Sequence, residues 1–312
     1  MRGSFINDPD YIKICNGLDR RKKVIHVSTN DTERLKQVCS LALQNSSMAI
    51  DVDGFEYIIF AGNVTVMPKH SMDKKNVNEL IDKCINRRNK IISRCKTDDT
   101  YKTVVAVHDM LVRNVDYKND GKISHTMAAP LAMKYGVCDG FSKAYKFVMD
   151  ELGIPCIVVS GEAQDPATMK IEPHAWNMIQ VYGKWCHVDV TFDKGLKSND
   201  YPRYDYFGLS DEDILIDHIY EKQLYPNVNS NDMEYYRLHD SFISNKQQLV
   251  SYFKNNINEP NIVVRVGKNV PEKELIDRII SVFNETLKDC GRGVAYSYSY
   301  NIKQKVVQIN VC

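Results

Sequence analysis

The sequence predicts an α+β fold, because helices and strands gather in separate stretches and a strand, helix and hairpin pattern stands at each end. Val77 to Cys95 and Thr100 to Val115 read as consecutive amphipathic helices, with charges of both signs nearby. From Cys138 to Leu152, Phe141, Tyr145, Val148 and Leu152 fall at helical spacing and make one apolar stripe, which Gly153 closes as a C-terminal cap. Cys138 stands three residues before Phe141 and so starts that helix on its inward face. Strands follow: Cys156 to Ser160, then His174 to Tyr182 and Trp185 to Phe192, the last two joined at Gly183-Lys184 in a type II′ turn. At the N-terminal end Val24 to Val27, Asp31 to Gln44 and Phe55 to Ala61 read as strand, helix and strand. At the C-terminal end Ile262 to Val266, Pro271 to Leu287, Val294 to Tyr300 and Lys305 to Val311 read as β-α-β-β.

With 312 residues, 43% of them apolar and 26% charged, the chain has the composition of a globule. At about 150 residues per domain, this length suits one large core with small flanking units. The expected division is residues 1–96, 97–237 and 238–312. A formal net charge of +1 gives no general attraction to polyanions, so neither a nucleic-acid nor a membrane partner is expected. No apolar run reaches the roughly 18 residues of a membrane span, and Met1 to Ile25 lacks the apolar stretch of a signal peptide, which makes the expected location cytoplasmic. The nine cysteines include no C-x-x-C pair, so reduced thiols are expected rather than a zinc ribbon or a disulfide framework.

A nucleophilic cysteine needs its thiolate stabilised, a base to hold and return the proton, and an acceptor to orient that base. Cys138, His174 and Asp189 supply these in chain order. A cysteine in the first turn of a helix faces unpaired N–H groups and the positive end of the helix dipole, and the same amides suit an oxyanion. Gly136 and Gly140 flank it and would let a substrate backbone approach. Cys156 and Cys186, on apolar strands, read as buried hydrophobes. A turn at Gly183-Lys184 sets His174 opposite Asp193 and leaves Asp189 about 13 Å away along the strand. Asp189 serves only if the pairing is bulged or the turn lies elsewhere, and Asp193 is the alternative acid. Cys138, His174, His187 and Asp189 also make an imaginable zinc set, but they lack the paired spacing of such sites. Asp51-Val52-Asp53-Gly54 reads as a turn rather than a calcium loop, Ser210 as a helix cap, and His218, taken to lie in the helix after Ser210, as structural.

Gly136-Val137-Cys138-Asp139-Gly140-Phe141, Leu152-Gly153-Ile154-Pro155, Val159-Ser160-Gly161, His174-Ala175-Trp176-Asn177 and Gly183 to Thr191 together resemble the transglutaminase-like superfamily of papain-type cysteine enzymes. The resemblance covers roughly Tyr101 to Pro226 and leaves both terminal units outside it. It implies a cysteine-bearing helix packed on an antiparallel sheet, with Cys138 as nucleophile, His174 as base and Asp189 as the residue that orients it. It further implies acyl transfer from, or hydrolysis of, protein or peptide carboxamides through a thioester, with no cofactor. Asp139, Gly140 and Trp176 are the expected substrate contacts, and the terminal units offer surface to a protein partner. A cysteine peptidase of the same fold and a non-catalytic protein-binding scaffold are the alternative readings.

Overall fold

The computed structural model describes residues 5–60, 63–165, 168–196 and 201–311. Its N-terminal part contains α1 (Pro9–Asp19), β1 (Ile25–Val27), α2 (Thr32–Asn45), β2 (Val52–Phe60) and β3 (Asn63–His70). The carboxylates of Asp8 and Asp31 accept first-turn N–H groups and start the two helices. The expected helix and strands are present, α1 adds to them, and Ala61, the expected end of one strand, lies outside the described residues.

Two long helices, α3 (Lys74–Cys95) and α4 (Thr100–Asn114), lead to a short parallel pair, β4 (Asp116–Tyr117) and β5 (Tyr135–Gly136). The helix α5 (Cys138–Leu152) has the bounds that its apolar stripe predicts, and Gly153 ends it at φ +72°. The central sheet follows from β6 (Cys156–Gln164), β7 (Ile171–Val181), β8 (Lys184–Val188), β9 (Phe207–Leu209) and β10 (His218–Ile219). Its strands are antiparallel in the order β10-β6-β7-β8-β9, and α6 (Val190–Leu196) and α7 (Asp211–Ile214) lie in the connections. The helix α8 (Tyr235–Leu238) precedes a C-terminal unit of β11 (Phe242–Ile243), α9 (Lys246–Asn256), β12 (Asn261–Val266), α10 (Leu275–Asp289), β13 (Tyr296–Asn301) and β14 (Val306–Val311). In its sheet, ordered β11-β12-β14-β13, β12 and the final hairpin repeat the arrangement of the N-terminal sheet, β1-β3-β2. The mixed architecture is the α+β class that the sequence predicts.

The apolar stripe of α5 decides where the cysteine goes. Phe141, Ala144, Tyr145 and Val148 are fully buried against Val104, Val107 and Leu111 of α4 and Ile179, Cys186 and Val188 of the sheet. Burial of each large side chain contributes roughly 1.5–3 kcal/mol. Register along the sheet comes from polar groups: Ser142 Oγ donates to the Ala175 carbonyl at 3.0 Å, and Asn177 Nδ2 donates to the Ser142 carbonyl at 3.0 Å. Cys138 sits four residues before Ser142 on the same helix face, so it arrives beside the residue before Ala175, which is His174.

The β7–β8 hairpin corrects one sequence-based expectation. Its turn is Tyr182-Gly183, with Val181 paired to Lys184, and both turn residues have positive φ, +49° and +78°. That is the pattern of a type I′ turn, in place of a II′ turn at Gly183-Lys184. The Tyr182 hydroxyl donates to Asp99 Oδ1 at 2.6 Å and anchors its residue in that conformation. The expected strand to Phe192 also stops early. After Val188 the chain leaves the sheet and turns into α6.

The N-terminal unit joins the central part through polar contacts at buried positions. Asn45, at the end of α2, accepts from the Val158 N–H at 2.8 Å and donates to the Val158 carbonyl at 3.2 Å, so its amide acts as a strand partner for β6. Gln44 Nε2 donates to Asp139 Oδ1 at 2.9 Å, one residue from Cys138. Asn45→Ala strands two buried backbone groups and should lower unfolding stability by about 1–3 kcal/mol in urea titration. An unchanged midpoint would show that this joint carries no load.

Candidate active site

Cys138 opens α5 after Val137, whose extended backbone leaves the first-turn N–H groups without a side-chain cap. It is half-buried, and its thiol is free, as are the other described cysteines. Its side chain lies near enough to His174, on β7, to act on the charge of that ring. The other face of that imidazole meets Asp189, with Nε2 to Oδ2 at 2.6 Å, which leaves Nδ1 as the nitrogen that serves the thiol. The ring is held from its sides by Phe192, at 4.4 Å between centroids, and by the nearly parallel indole of Trp176 at 6.1 Å.

The departure of the chain from the sheet at Val188 removes the 13 Å difficulty. Asp189 is the first residue past β8, and its Oδ1 caps α6 by accepting from the N–H groups of Thr191 at 2.9 Å and Phe192 at 3.0 Å and from the Thr191 hydroxyl at 2.7 Å. Oδ2 is thereby aimed at His174. Burial alone would raise this carboxyl, yet the imidazole of His174, with further bonds from His218, holds it well below the usual carboxylate range. For His174 burial works toward a lower value, but the Asp189 carboxylate and the contact with Cys138 outweigh it and push the ring up to about 10.

Asp193, the alternative acid, faces elsewhere. His108 Nε2 meets its Oδ2 at 3.1 Å and the Tyr206 N–H donates to its Oδ1 at 3.0 Å, so it joins α6 to α4. Burial pushes the Asp193 carboxyl up, and for His108 the carboxylates of Asp109 and Asp193 overcome burial and raise the ring to about 9.

Two expected substrate contacts have other work. Trp176 is fully buried, its indole N–H donates to His187 Nδ1 at 3.0 Å, and its surface is spent on the rings of His174 and His218 rather than on a tunnel wall. A Cβ at Gly140 would lie 2.3 Å from the Ser124 carbonyl oxygen, and one at Gly136 would lie 2.8 Å from Pro130, so these glycines admit the neighbouring chain instead of a ligand. Asp139 keeps some exposure and is fixed by His125 Nδ1 at 2.9 Å and by Gln44.

Other residues enter the site without an individual sequence signal. His218, expected in the helix after Ser210, lies on β10 and turns Nε2 to Asp189 Oδ2 at 3.2 Å. His187, from the imagined zinc set, is engaged with Trp176 and with Asp211, at 3.0 Å. The ligand atoms of His174, Asp189 and His218 fall within 4.8 Å of one another, but both rings address the same carboxylate oxygen, which is hydrogen-bond geometry rather than a metal cage. Tyr117, half of whose surface is exposed, lays its ring over Phe141 beside Cys138.

Comparison with known families agrees with this arrangement over the central part of the chain, where residues 87–190 match the model of the transglutaminase-like superfamily. Similar solved structures include a TGase, 15% identical with a TM-score of 0.33, aligned over 56% of this chain and 53% of that one. A candidate cysteine protease from Cytophaga hutchinsonii is 14% identical with a TM-score of 0.31, over 44% of this chain and 61% of that one. The chain thus spans about half the length of the first and under two thirds of the second. No curated protein matches. The superfamily is one of cysteine enzymes, and no helix among the described residues is long and apolar enough to cross a membrane.

The electrostatics give a test. Asp189→Asn should return the His174 ring from about 10 toward 6.5, read by histidine NMR titration. A ring raised in the folded state adds stability that is complete below pH 6.5 and is lost as pH rises toward 10. Wild-type protein should therefore lose more stability than Asp189→Asn over that window, and equal losses would mean that the carboxylate does not set the ring.

Proposed function

We propose that this protein is a cysteine acyl-transfer enzyme that acts on protein or peptide carboxamides. The observation that carries the reading is the pair of imidazole and buried carboxylate, His174 bonded to Asp189 at 2.6 Å, with Cys138 near enough to act on the His174 ring. The Cys138 thiol passes its proton to His174 Nδ1, and the sulfur attacks the carboxamide carbon. The C–N bond breaks as His174 returns the proton to the leaving nitrogen, so ammonia or an amine departs and a thioester stays on the sulfur. An amine acceptor then gives a new amide, or water gives an acid, with His174 taking the proton of the incoming group. Asp189 stays ionised throughout, holds Nδ1 toward the sulfur and stabilises the imidazolium.

The N–H groups at the start of α5 supply donors for the oxyanion, and the Cys138 N–H is one of them. Asp139, anchored beside the thiol, is the proposed polar contact at the mouth of the site.

The test is to trap the thioester. Protein quenched in acid after incubation with a glutamine-containing peptide should carry the acyl mass on the tryptic peptide of Cys138, and ammonia should appear. Cys138→Ala should abolish both, a loss of order 10⁴-fold or more in rate. A primary amine in the mixture separates amide transfer from hydrolysis. Acyl mass on another cysteine, or unchanged turnover by folded Cys138→Ala, would end this reading.

A further inference from the structure

Behind Asp189 lies a continuous run of buried polar contacts that ends in the C-terminal unit, outside residues 87–190. His218 Nε2 meets Asp189 Oδ2 at 3.2 Å, and its Nδ1 meets Asp217 Oδ1 at 2.7 Å. The second oxygen of Asp217 accepts from the Tyr206 hydroxyl at 2.8 Å and from Gln304 Nε2 at 3.1 Å. Asn301 Nδ2 donates in turn to the Tyr206 hydroxyl at 3.1 Å. Asn301 ends β13, Gln304 lies in the turn between β13 and β14, and both are at least 98% buried.

The Gln304 amide is fixed in orientation. Arg265 on β12 donates to its Oε1 at 2.7 Å and also pairs with Glu234 at 3.3 Å, so the NH₂ end faces Asp217 and the Asp213 carbonyl, the latter at 3.2 Å. Tyr206 links the same network to α6, because its N–H holds Asp193. A buried polar group left without its partner is costly, so rotation of any one member is opposed by its neighbours. The C-terminal unit has an apolar core of its own, around Phe253, Phe283 and Ile309.

We propose that the C-terminal unit positions the acyl-transfer site: Asn301 and Gln304 hold Asp217 and Tyr206, Asp217 sets His218, and His218 fixes the oxygen of Asp189 that aligns His174. Asn301, Gln304, Asp217 and His218 are positioning residues and touch no substrate. The inference rests on the acyl-transfer reading for its consequence in rate, and on the hydrogen-bond geometry alone for its consequence in the His174 ring.

Full-length Gln304→Leu, His218→Gln and the double variant test it by two measurements. The first is the rate of Cys138 acylation by a glutamine peptide, resolved into kcat and KM; the second is the ¹⁵N and ¹H resonances of the His174 ring. Each single variant should lower kcat about tenfold with KM unchanged, as expected for misplacement of a reacting group, and should shift the His174 resonances. The double variant should be no worse than His218→Gln, since both act along one path. If Gln304→Leu does not fold, Asn301→Ala replaces it with the same expectation. Unmoved His174 resonances in a folded single variant, or additive losses in the double variant, overturn the proposal. Absence of acylation in wild type would remove the reaction and leave the ring resonances to decide the positioning.

Discussion

A carboxylate with no access to water governs this structure. Asp189 is fully buried, a placement that costs several kcal/mol unless each oxygen is met by donors. Its Oδ1 is met by two N–H groups and a hydroxyl at the start of α6, and its Oδ2 by the rings of His174 and His218. Those demands explain why the chain leaves the sheet at Val188: only a helix start offers two convergent N–H groups at that point. They also explain the packing above the site, because Phe192, delivered by the same helix turn, closes over His174 and His218.

The terminal units share a strand arrangement and carry separate apolar cores, yet both meet the central part through buried side-chain amides. On one side Asn45 pairs with the backbone of β6 and Gln44 holds Asp139 beside the thiol. On the other side Asn301 and Gln304 reach the network of Tyr206, Asp217 and His218. Arg203 adds a buried pair with Asp205 at 2.7 Å and a bond to Gln308 of β14 at 3.3 Å. Apolar interfaces tolerate sliding, whereas such amides and ion pairs are satisfied in one arrangement only, and that property suits elements that brace a reactive group.

Much of this was legible in the sequence, and the failures have particular causes. The bounds of α5 followed from one apolar stripe and a glycine stop, because period and cap agreed there. Chain order and resemblance single out Cys138, His174 and Asp189 together, and the fold joins His174 to Asp189 at 2.6 Å. The hairpin turn was misplaced by one residue because Gly183 was given the first turn position, whereas Tyr182 occupies it at positive φ and is paid for by its bond to Asp99. Val190 to Phe192 reads as the end of a strand because apolar residues alternate there, and the capping carboxylate of Asp189 overrides that pattern. His218 carried no local signal, since its partner lies 29 residues away in sequence. Tyr117 was equally silent, and α9 and β11 were passed over in a polar stretch.

Selective alkylation tests the central claim most directly. Intact protein exposed briefly to iodoacetamide near neutral pH should be modified first at Cys138, although Cys290 is the more exposed thiol, and His174→Ala should remove that preference. First modification at Cys290, or a Cys138 rate indifferent to His174, would contradict an imidazole that serves this sulfur.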